Sequence, residues 1–222
     1  MDIKKIILIF LAIMLTYSGK SQKLVTTKAN VQIDSVMIFP AIGVINCVHE
    51  SKVIPNESYS KIYQRKMNEI LPAAFDYKVV TLGDEYQLSD SLKRYFVNTV
   101  PKFSTITDEV FSTIPLGESF NEMIADVPGR YFGIIFYNGF VKTKVEGQLA
   151  QSFGLGVATA FITRGMFTVY VIYKDSYLEC VYLLIDKKEN RFLYYKRRYE
   201  SGSPLKIKVI EKTFKKISKG FI

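Results

Sequence analysis

Strand-like and helix-like patterns alternate between residues 36 and 138, and this order constrains the fold more than any other feature of the sequence. Each strand pattern is a run of β-branched and aromatic residues, whereas each helix pattern carries an apolar stripe at helical spacing. In chain order the patterns cover Val36–Ile45 (strand), Tyr59–Leu71 (helix), Tyr77–Leu82 (strand), Ser89–Val97 (helix), Glu118–Ala125 (helix) and Arg130–Asn138 (strand). Strands separated by helices predict an α/β sheet with crossover connections.

Proline and cap residues indicate where these elements bend, begin and end. Pro40 lies inside the first apolar run and predicts a bend or a sheet edge there. Asn56 or Ser58 can cap the first helix, and Pro72 predicts its end.

The carboxy-terminal part of the chain has a different pattern. Strand patterns over Phe167–Tyr173, Leu178–Ile185 and Arg191–Arg198 are separated by turns of hairpin length, which predicts an antiparallel meander. Apolar residues then recur at helical spacing from Ile207 to Phe221, although Leu205–Ile210 also alternates like a strand. We therefore expect an α/β (α+β) fold: a mixed sheet of about five to six strands with crossover helices, the meander and a terminal amphipathic helix.

The segment Gly147–Gly165 is apolar and rich in glycine, and three interpretations fit it. It can be a buried helix, an oligomer contact or a segment that touches a membrane, because small residues allow close approach of another backbone. The oligomer interpretation assigns the contact to Gly154, Leu155, Gly156 and Phe161.

The first 21 residues have the order of a secretory signal peptide. A short basic start precedes the apolar run Ile6–Tyr17, which is shorter than the roughly 20 residues that span a bilayer. Small residues then predict cleavage before Gln22, and the absence of a cysteine in this region excludes amino-terminal lipidation there. We expect an exported protein, periplasmic or associated with the outer membrane, with a signal peptide over 1–21, a flexible segment over 22–34, an α/β domain over 35–202 and a basic amphipathic helix over 203–222.

Positive charge is concentrated at the carboxy terminus. Residues 187–222 contain twelve Lys or Arg and three Glu, a net charge of +9, which equals the formal net charge of the whole chain. In an exported protein such asymmetry favours an anionic membrane surface or an acidic protein face over nucleic acid. The residues predicted to contact that surface are Lys196, Arg197, Arg198, Lys206, Lys208, Lys212, Lys215, Lys216 and Lys219.

Few residues point to catalysis, and no cofactor or metal site is predicted. His49 is the one histidine, and Cys47-Val48-His49-Glu50 supplies too few ligands for a structural zinc site. Asp84-Glu85 follows a strand and could face a cleft, but a solvated turn is the favoured interpretation. Cys47 and Cys180 could form a disulfide outside the cytosol or remain two separate buried thiols.

The order of elements, together with Ser35–Pro40 and Ala125–Phe132, resembles a periplasmic α/β domain. This domain is shared by the curli secretion lipoprotein, the amino-terminal domain of the Tol-Pal translocation protein and related small envelope lipoproteins. The resemblance covers roughly residues 34 to 200 and implies a non-catalytic role in envelope assembly or transport, with oligomer formation. The missing lipid-anchoring cysteine and the basic terminal helix depart from that family.

Together these observations favour a non-enzymatic exported protein that binds within the cell envelope. Its partner would be an envelope protein, a second copy of itself or an anionic membrane surface, and not nucleic acid. The alternative is a periplasmic carrier with a ligand pocket lined by Tyr and Phe.

Overall fold

The computed structural model describes residues 25–26, 33–49, 52–100, 103, 111, 113–142 and 176–219. Within these residues a mixed sheet of eight strands carries helices on both faces, which confirms the predicted α/β class with more strands than expected. The strands are β1 (Val25–Thr26), β2 (Ser35–Ile38), β3 (Ile42–His49), β4 (Lys52–Pro55), β5 (Lys78–Thr81), β6 (Tyr131–Val141), β7 (Tyr177–Asp186) and β8 (Arg191–Ser201). The helices are α1 (Glu57–Ala74), α2 (Asp90–Thr99), α3 (Glu118–Ile124) and α4 (Ile207–Ser218).

Strand β6 is the central strand of the sheet. It pairs in parallel with β2 and β3 along one edge and antiparallel with β7 along the other. The path through the sheet is β1-β8-β7-β6-β2-β5, with β4 paired antiparallel to β3. Strands β6, β7 and β8 form a C-terminal meander; the strand predicted over Phe167–Tyr173 lies outside the described residues.

The apolar run predicted as one strand is two strands, β2 and β3, which lie one after the other along the same edge of β6. Met37 of β2 is opposite Phe132, and Ile42 of β3 is opposite Phe136. Pro40 lies in the break, as the predicted bend requires, because proline has no N–H for the ladder. On their outer sides β2 pairs with β5 and β3 pairs with β4, so the sheet forks at Pro40.

Two apolar clusters fill the space between the sheet and its helices. On one face α1 and α4 cover a cluster that includes Tyr63, Tyr182 and Phe214. On the other face α2 and α3 cover a cluster dominated by phenylalanine, including Phe96 and Phe120. Alternate residues of β6 enter the two clusters, so this central strand is buried on both sides.

The cap residues behave as the sequence indicates, but one predicted boundary is wrong. Asn56 caps α1 by accepting a 2.9 Å hydrogen bond from the Tyr59 N–H, and Ser89 caps α2. Helix α1 does not stop at Pro72 but continues to Ala74. Pro72 lies in the last turn, where the missing N–H costs a single hydrogen bond and few helical residues follow.

Two short strands lie in segments that the sequence assigned to loops. Lys52–Pro55 forms β4 in the segment interpreted as a polar loop, because β3 runs on to His49 and turns back. Val25–Thr26 lies in the segment expected to be flexible and pairs with Tyr194 and Tyr195 of β8.

Candidate functional site

Helix α4 is a structural layer of the protein with a basic outer side. Ile210, Phe214 and Ile217 are fully buried against the sheet, as an apolar stripe at helical spacing predicts. The Tyr194 hydroxyl donates a 2.6 Å hydrogen bond to the Ile217 carbonyl, which fixes the last turn of α4 on β8. The alternative strand interpretation of Leu205–Ile210 is therefore wrong, because α4 begins at Ile207. Ile207 itself is exposed, but Ile210, Phe214 and Ile217 are not available to a membrane.

Four of the nine predicted basic residues project from this helix and its start into solvent. Lys206, Lys208, Lys215 and Lys219 are exposed, and none of them forms an ion pair with another described residue. We call these four lysines the basic surface. Lys206 precedes α4 and Lys219 follows it, so the basic surface extends along the whole helix.

Two further lysines of α4 are exposed but form ion pairs with a buried carboxylate. Lys212 and Lys216 both donate to the carboxylate of Glu200 on β8, with a distance of 2.7 Å from Lys212 Nζ to Glu200 Oε2. Burial alone would raise the pKa of Glu200, but the hydrogen bonds and charges of the two lysines hold that pKa below its usual range. One carboxylate between two ammonium groups leaves this cluster with one excess positive charge.

The three predicted cations on β8 do not form one surface. Arg197 points to the α2–α3 side of the sheet, where it donates to the carboxylate of Glu179, and both side chains are largely buried. Lys196 and Arg198 point to the opposite side, towards α4, because neighbouring residues of a strand face opposite ways. The nine residues predicted to form one anionic-surface site therefore do not share one surface, and their contact with an anionic surface remains a prediction.

The two cysteines lie apart. Both thiols are buried and free. Cys47 is opposite Val141 of β6 and Cys180 is opposite Tyr137, so they are four residues apart along β6, roughly 13 Å. A disulfide requires Cα atoms within about 7 Å, so these two cysteines correspond to the alternative of separate buried thiols.

The thiol of Cys180 is unsuited to nucleophilic chemistry. It lies 3.1 Å from the Tyr63 hydroxyl, and burial raises its pKa to about 12. No group of three or more His, Cys, Asp or Glu side chains that could hold a metal is found in the described part of the chain. The side chain of His49 lies outside the described residues.

A polar cleft of about 230 Å³ lies at the fork of the sheet. It is bounded by the chain between β2 and β3, by the carboxyl end of β5 and by α1 and α2. The side chains and backbone groups that line it include Gly43, Gln64, Asn68, Thr81, Asp84, Gln87 and Lys93. Ligands of open α/β sheets bind at the carboxyl ends of parallel strands, which is where this cleft lies.

The cleft differs from the pocket that the sequence suggested. Neither Tyr nor Phe lines it, so the expectation of an aromatic-lined pocket is not met at this cleft. Asp84 does line it, in agreement with the less favoured interpretation of Asp84-Glu85. Two signals in the sequence pointed here, Pro40 within an apolar run and an acidic pair directly after a strand.

The residues predicted for an oligomer contact, Gly154, Leu155, Gly156 and Phe161, lie outside the described residues, as does the predicted signal peptide. In the part of the chain that the structure describes, no helix is long and apolar enough to cross a bilayer.

Comparison with known proteins gives no family for this chain. No family model and no curated protein matches it. Among solved structures it is similar to the PelC dodecamer of Paraburkholderia phytofirmans, with 10% identity, coverage of 88% of this chain and 91% of that chain, and a TM-score of 0.38.

Two further solved structures match at similar levels. A hypothetical protein of Chlamydia trachomatis, CT253, shares 10% identity over 86% of this chain and 96% of that chain, with a TM-score of 0.39. Lipoprotein GNA1162 of Neisseria meningitidis shares 7% identity over 76% and 81% of the two chains, with a TM-score of 0.31. All three TM-scores are too low to establish a common fold.

Proposed function

We propose that this protein is a non-enzymatic component of the bacterial cell envelope that binds an anionic membrane surface through the basic surface of α4. The observation that carries the proposal is that α4 buries its apolar side in the core while Lys206, Lys208, Lys215 and Lys219 remain exposed. The protein then holds these charges on a fixed helix. The predicted export signal supports an envelope location, and the resemblance to envelope lipoproteins remains a prediction.

The burial of the apolar side of α4 determines how the contact is made. An interfacial helix inserts its apolar side among the acyl chains, but here Ile210, Phe214 and Ile217 are fully buried in the protein. Binding must then be electrostatic and peripheral. Basic residues near an anionic leaflet contribute about 1 kcal/mol each, and salt screens them.

The test replaces charges without removing the helix, because deletion of residues 205–222 would also remove part of the core. We expect the mature chain to sediment with phosphatidylglycerol vesicles at low salt and to be released by salt. Substitution of Lys208, Lys215 and Lys219 by Gln should weaken partitioning roughly a hundredfold.

The matched control carries the same change of net charge elsewhere. Lys61, Lys78 and Lys188 are exposed on α1, β5 and the β7–β8 turn, and a triple Gln variant at these positions should keep its vesicle binding. Equal loss in both triple variants would show a response to net charge alone and would exclude a specific role of the basic surface.

A second candidate function is the binding of a small polar ligand in the cleft at the sheet fork. The convergence of amide, hydroxyl, carboxylate and ammonium groups on one cleft favours it. Mass spectrometry of protein purified under native conditions should then show a small co-purifying compound, and adding that compound should raise the Tm. Substitution of Gln64 by Leu should remove the shift, and an unchanged shift in that variant would exclude the cleft.

A further inference from the structure

Strand β8 places two cations side by side beneath α4. Residues 194, 196, 198 and 200 point to the α4 side of the sheet. Tyr194 is fixed to Ile217, and Glu200 is fixed to Lys212 and Lys216. Lys196 and Arg198 lie between these two attachments, roughly 7 Å apart along the strand.

Neither cation has an anionic partner among the described residues. Lys196 is only 5% exposed, and its ammonium nitrogen lies 5.9 Å from the centroid of the Tyr194 ring. The Nε of Arg198 is buried and makes no hydrogen bond. Arg198 as a whole is half-buried. A buried charge such as that of Lys196 is strongly unfavourable without a partner, so this arrangement calls for a counter-ion.

The carboxylate nearest along this face of β8 does not supply that counter-ion. Glu200 already accepts from two lysines, so the cluster of Lys196, Arg198, Glu200, Lys212 and Lys216 has an excess of positive charge. Burial and the charge of Arg198 lower the pKa of Lys196 to about 8. A bound anion would stabilise the charged form of Lys196 and so raise its pKa again.

The chemistry of the two side chains indicates what kind of anion fits. Arginine presents a planar fork of N–H donors that matches the oxygens of a phosphate, and lysine adds a compact positive charge. We propose that Lys196 and Arg198, on the α4 side of β8, together bind a phosphate group. The inference rests on the proposed binding of an anionic surface and adds a selective site to it.

This site differs from the basic surface in its physical character. The lysines of the basic surface are exposed, whereas Lys196 is buried and Arg198 is half-buried with its Nε shielded from solvent. A phosphate group on a lipid head group and a free phosphate ion share the chemistry required, and the experiment below separates them.

The first measurement is calorimetric titration of the mature chain with inorganic phosphate. We expect saturable binding that weakens about tenfold or more in Lys196→Met and Arg198→Met, because each loses a charge-assisted hydrogen bond. Lys188→Met is the matched control, since it removes an exposed lysine that lies outside the basic surface, and its affinity should equal that of the unmodified protein. Circular dichroism checks that every variant is folded. Absence of saturable binding to both phosphate and phosphatidic acid, or equal affinity in all variants, would overturn the proposal.

The second measurement identifies the source of the phosphate group. Phosphatidylcholine vesicles containing phosphatidic acid are bound to the protein and challenged with inorganic phosphate. If Lys196→Met and Arg198→Met weaken vesicle binding and phosphate competes, the site takes a lipid head group. If both variants lose phosphate binding but keep vesicle binding, the site takes free phosphate.

Failure of this inference is distinguishable from failure of the proposed function. Vesicle binding that depends on Lys208, Lys215 and Lys219, with no effect of Lys196 or Arg198 on any phosphate ligand, would overturn the inference alone. Phosphate binding that depends on Lys196 and Arg198 in a protein that ignores anionic vesicles would overturn the proposed function and support the site for free phosphate.

Discussion

Among single residues, the buried pair of Glu179 and Arg197 shows how strongly position controls a charge. Burial raises the pKa of Glu179, and the adjacent guanidinium opposes this rise. We expect Arg197→Met to lower the free energy of unfolding by about 3–5 kcal/mol, because it leaves a buried carboxylate without its partner. Urea denaturation at neutral pH measures this value.

The double variant Glu179→Gln/Arg197→Met is the control for that experiment. It removes both charges, so it should recover much of the lost stability. If the double variant is as unstable as Arg197→Met, the loss comes from packing of the arginine side chain and not from the unpaired carboxylate.

Replacing Lys196 should raise the free energy of unfolding, whereas replacing Arg197 should lower it. Its pKa in the folded protein is about 8, below the value of about 10.4 in an unfolded chain. In this interval the unfolded state binds more protons, so the contribution of Lys196 to stability rises as the pH is raised from 8 to 10. Below pH 8 both states carry the charge and the full cost of burying it remains.

Lys196→Met should therefore be more stable than the unmodified protein at pH 7, and the difference should shrink towards pH 10. The tyrosines titrate in both proteins, so comparing the two removes their effect. Denaturation curves of both proteins at several pH values, without added phosphate, test this. A constant difference across the interval would contradict it.

The sequence could not distinguish Lys196 from the exposed lysines around it. Arg197 and Arg198 are adjacent letters in a basic run, yet one pairs with Glu179 and the other points towards α4. The faces of a strand follow from its period of two, but which face a helix covers depends on the tertiary fold. The sequence therefore shows the basic character of this segment but not the side of the sheet on which each cation lies.

Among the elements, the fork of the sheet depends on a close approach between β3 and β6. A Cβ atom added to Gly43 would lie 1.8 Å from the carbonyl oxygen of Tyr137, so the two backbones would have to separate. We expect Gly43→Ala to lower the free energy of unfolding by about 3 kcal/mol or more. Thermal unfolding followed by circular dichroism is the measurement.

The control for Gly43→Ala is the same substitution at Gly133, a glycine of the same sheet whose nearest neighbours are side-chain atoms. A Cβ atom added to Gly133 of β6 would lie 3.0 Å from the ring of Tyr182, where side chains and not backbone must adjust. We expect Gly133→Ala to be the milder change, and equal destabilisation by both substitutions would contradict the importance of backbone approach at the fork.

The sequence predicted which helices and strands exist better than it predicted the residues at which they begin and end. The helical stripe of α1 and the bend at Pro40 follow directly from the sequence. Strand β4 did not, because Lys52–Pro55 is short and two of its residues, Ile54 and Pro55, are exposed, so it lacks the buried alternation that marks a strand. Its pairing depends on the length of β3, which no local pattern determines.

For the whole molecule, α4 is expected to decide whether the α1–α4 face of the sheet is closed. Phe214 is fully buried and packs against the rings of the core, with its centroid 6.4 Å from that of Phe75. Phe214→Ala should lower the free energy of unfolding by about 3–5 kcal/mol. Lys215→Ala changes the neighbouring exposed residue and should alter stability little, so a similar loss in both variants would contradict a core role for this helix.

The overall class of the molecule was predictable because alternating strands and helices permit few arrangements. The long-range pairings were not: β3 joins β6 across about ninety residues of chain, and no spacing in the sequence records this. The self-association predicted for Gly147–Gly165 remains a prediction, which light scattering of the mature chain can test.

The position of α4 also affects the order in which the chain can fold. Tyr194 of β8 donates to the carbonyl of Ile217, a residue of α4 that leaves the ribosome after the sheet itself. Until α4 arrives, α1 covers only part of this face of the sheet. The face is therefore completed only after β8 has been synthesised.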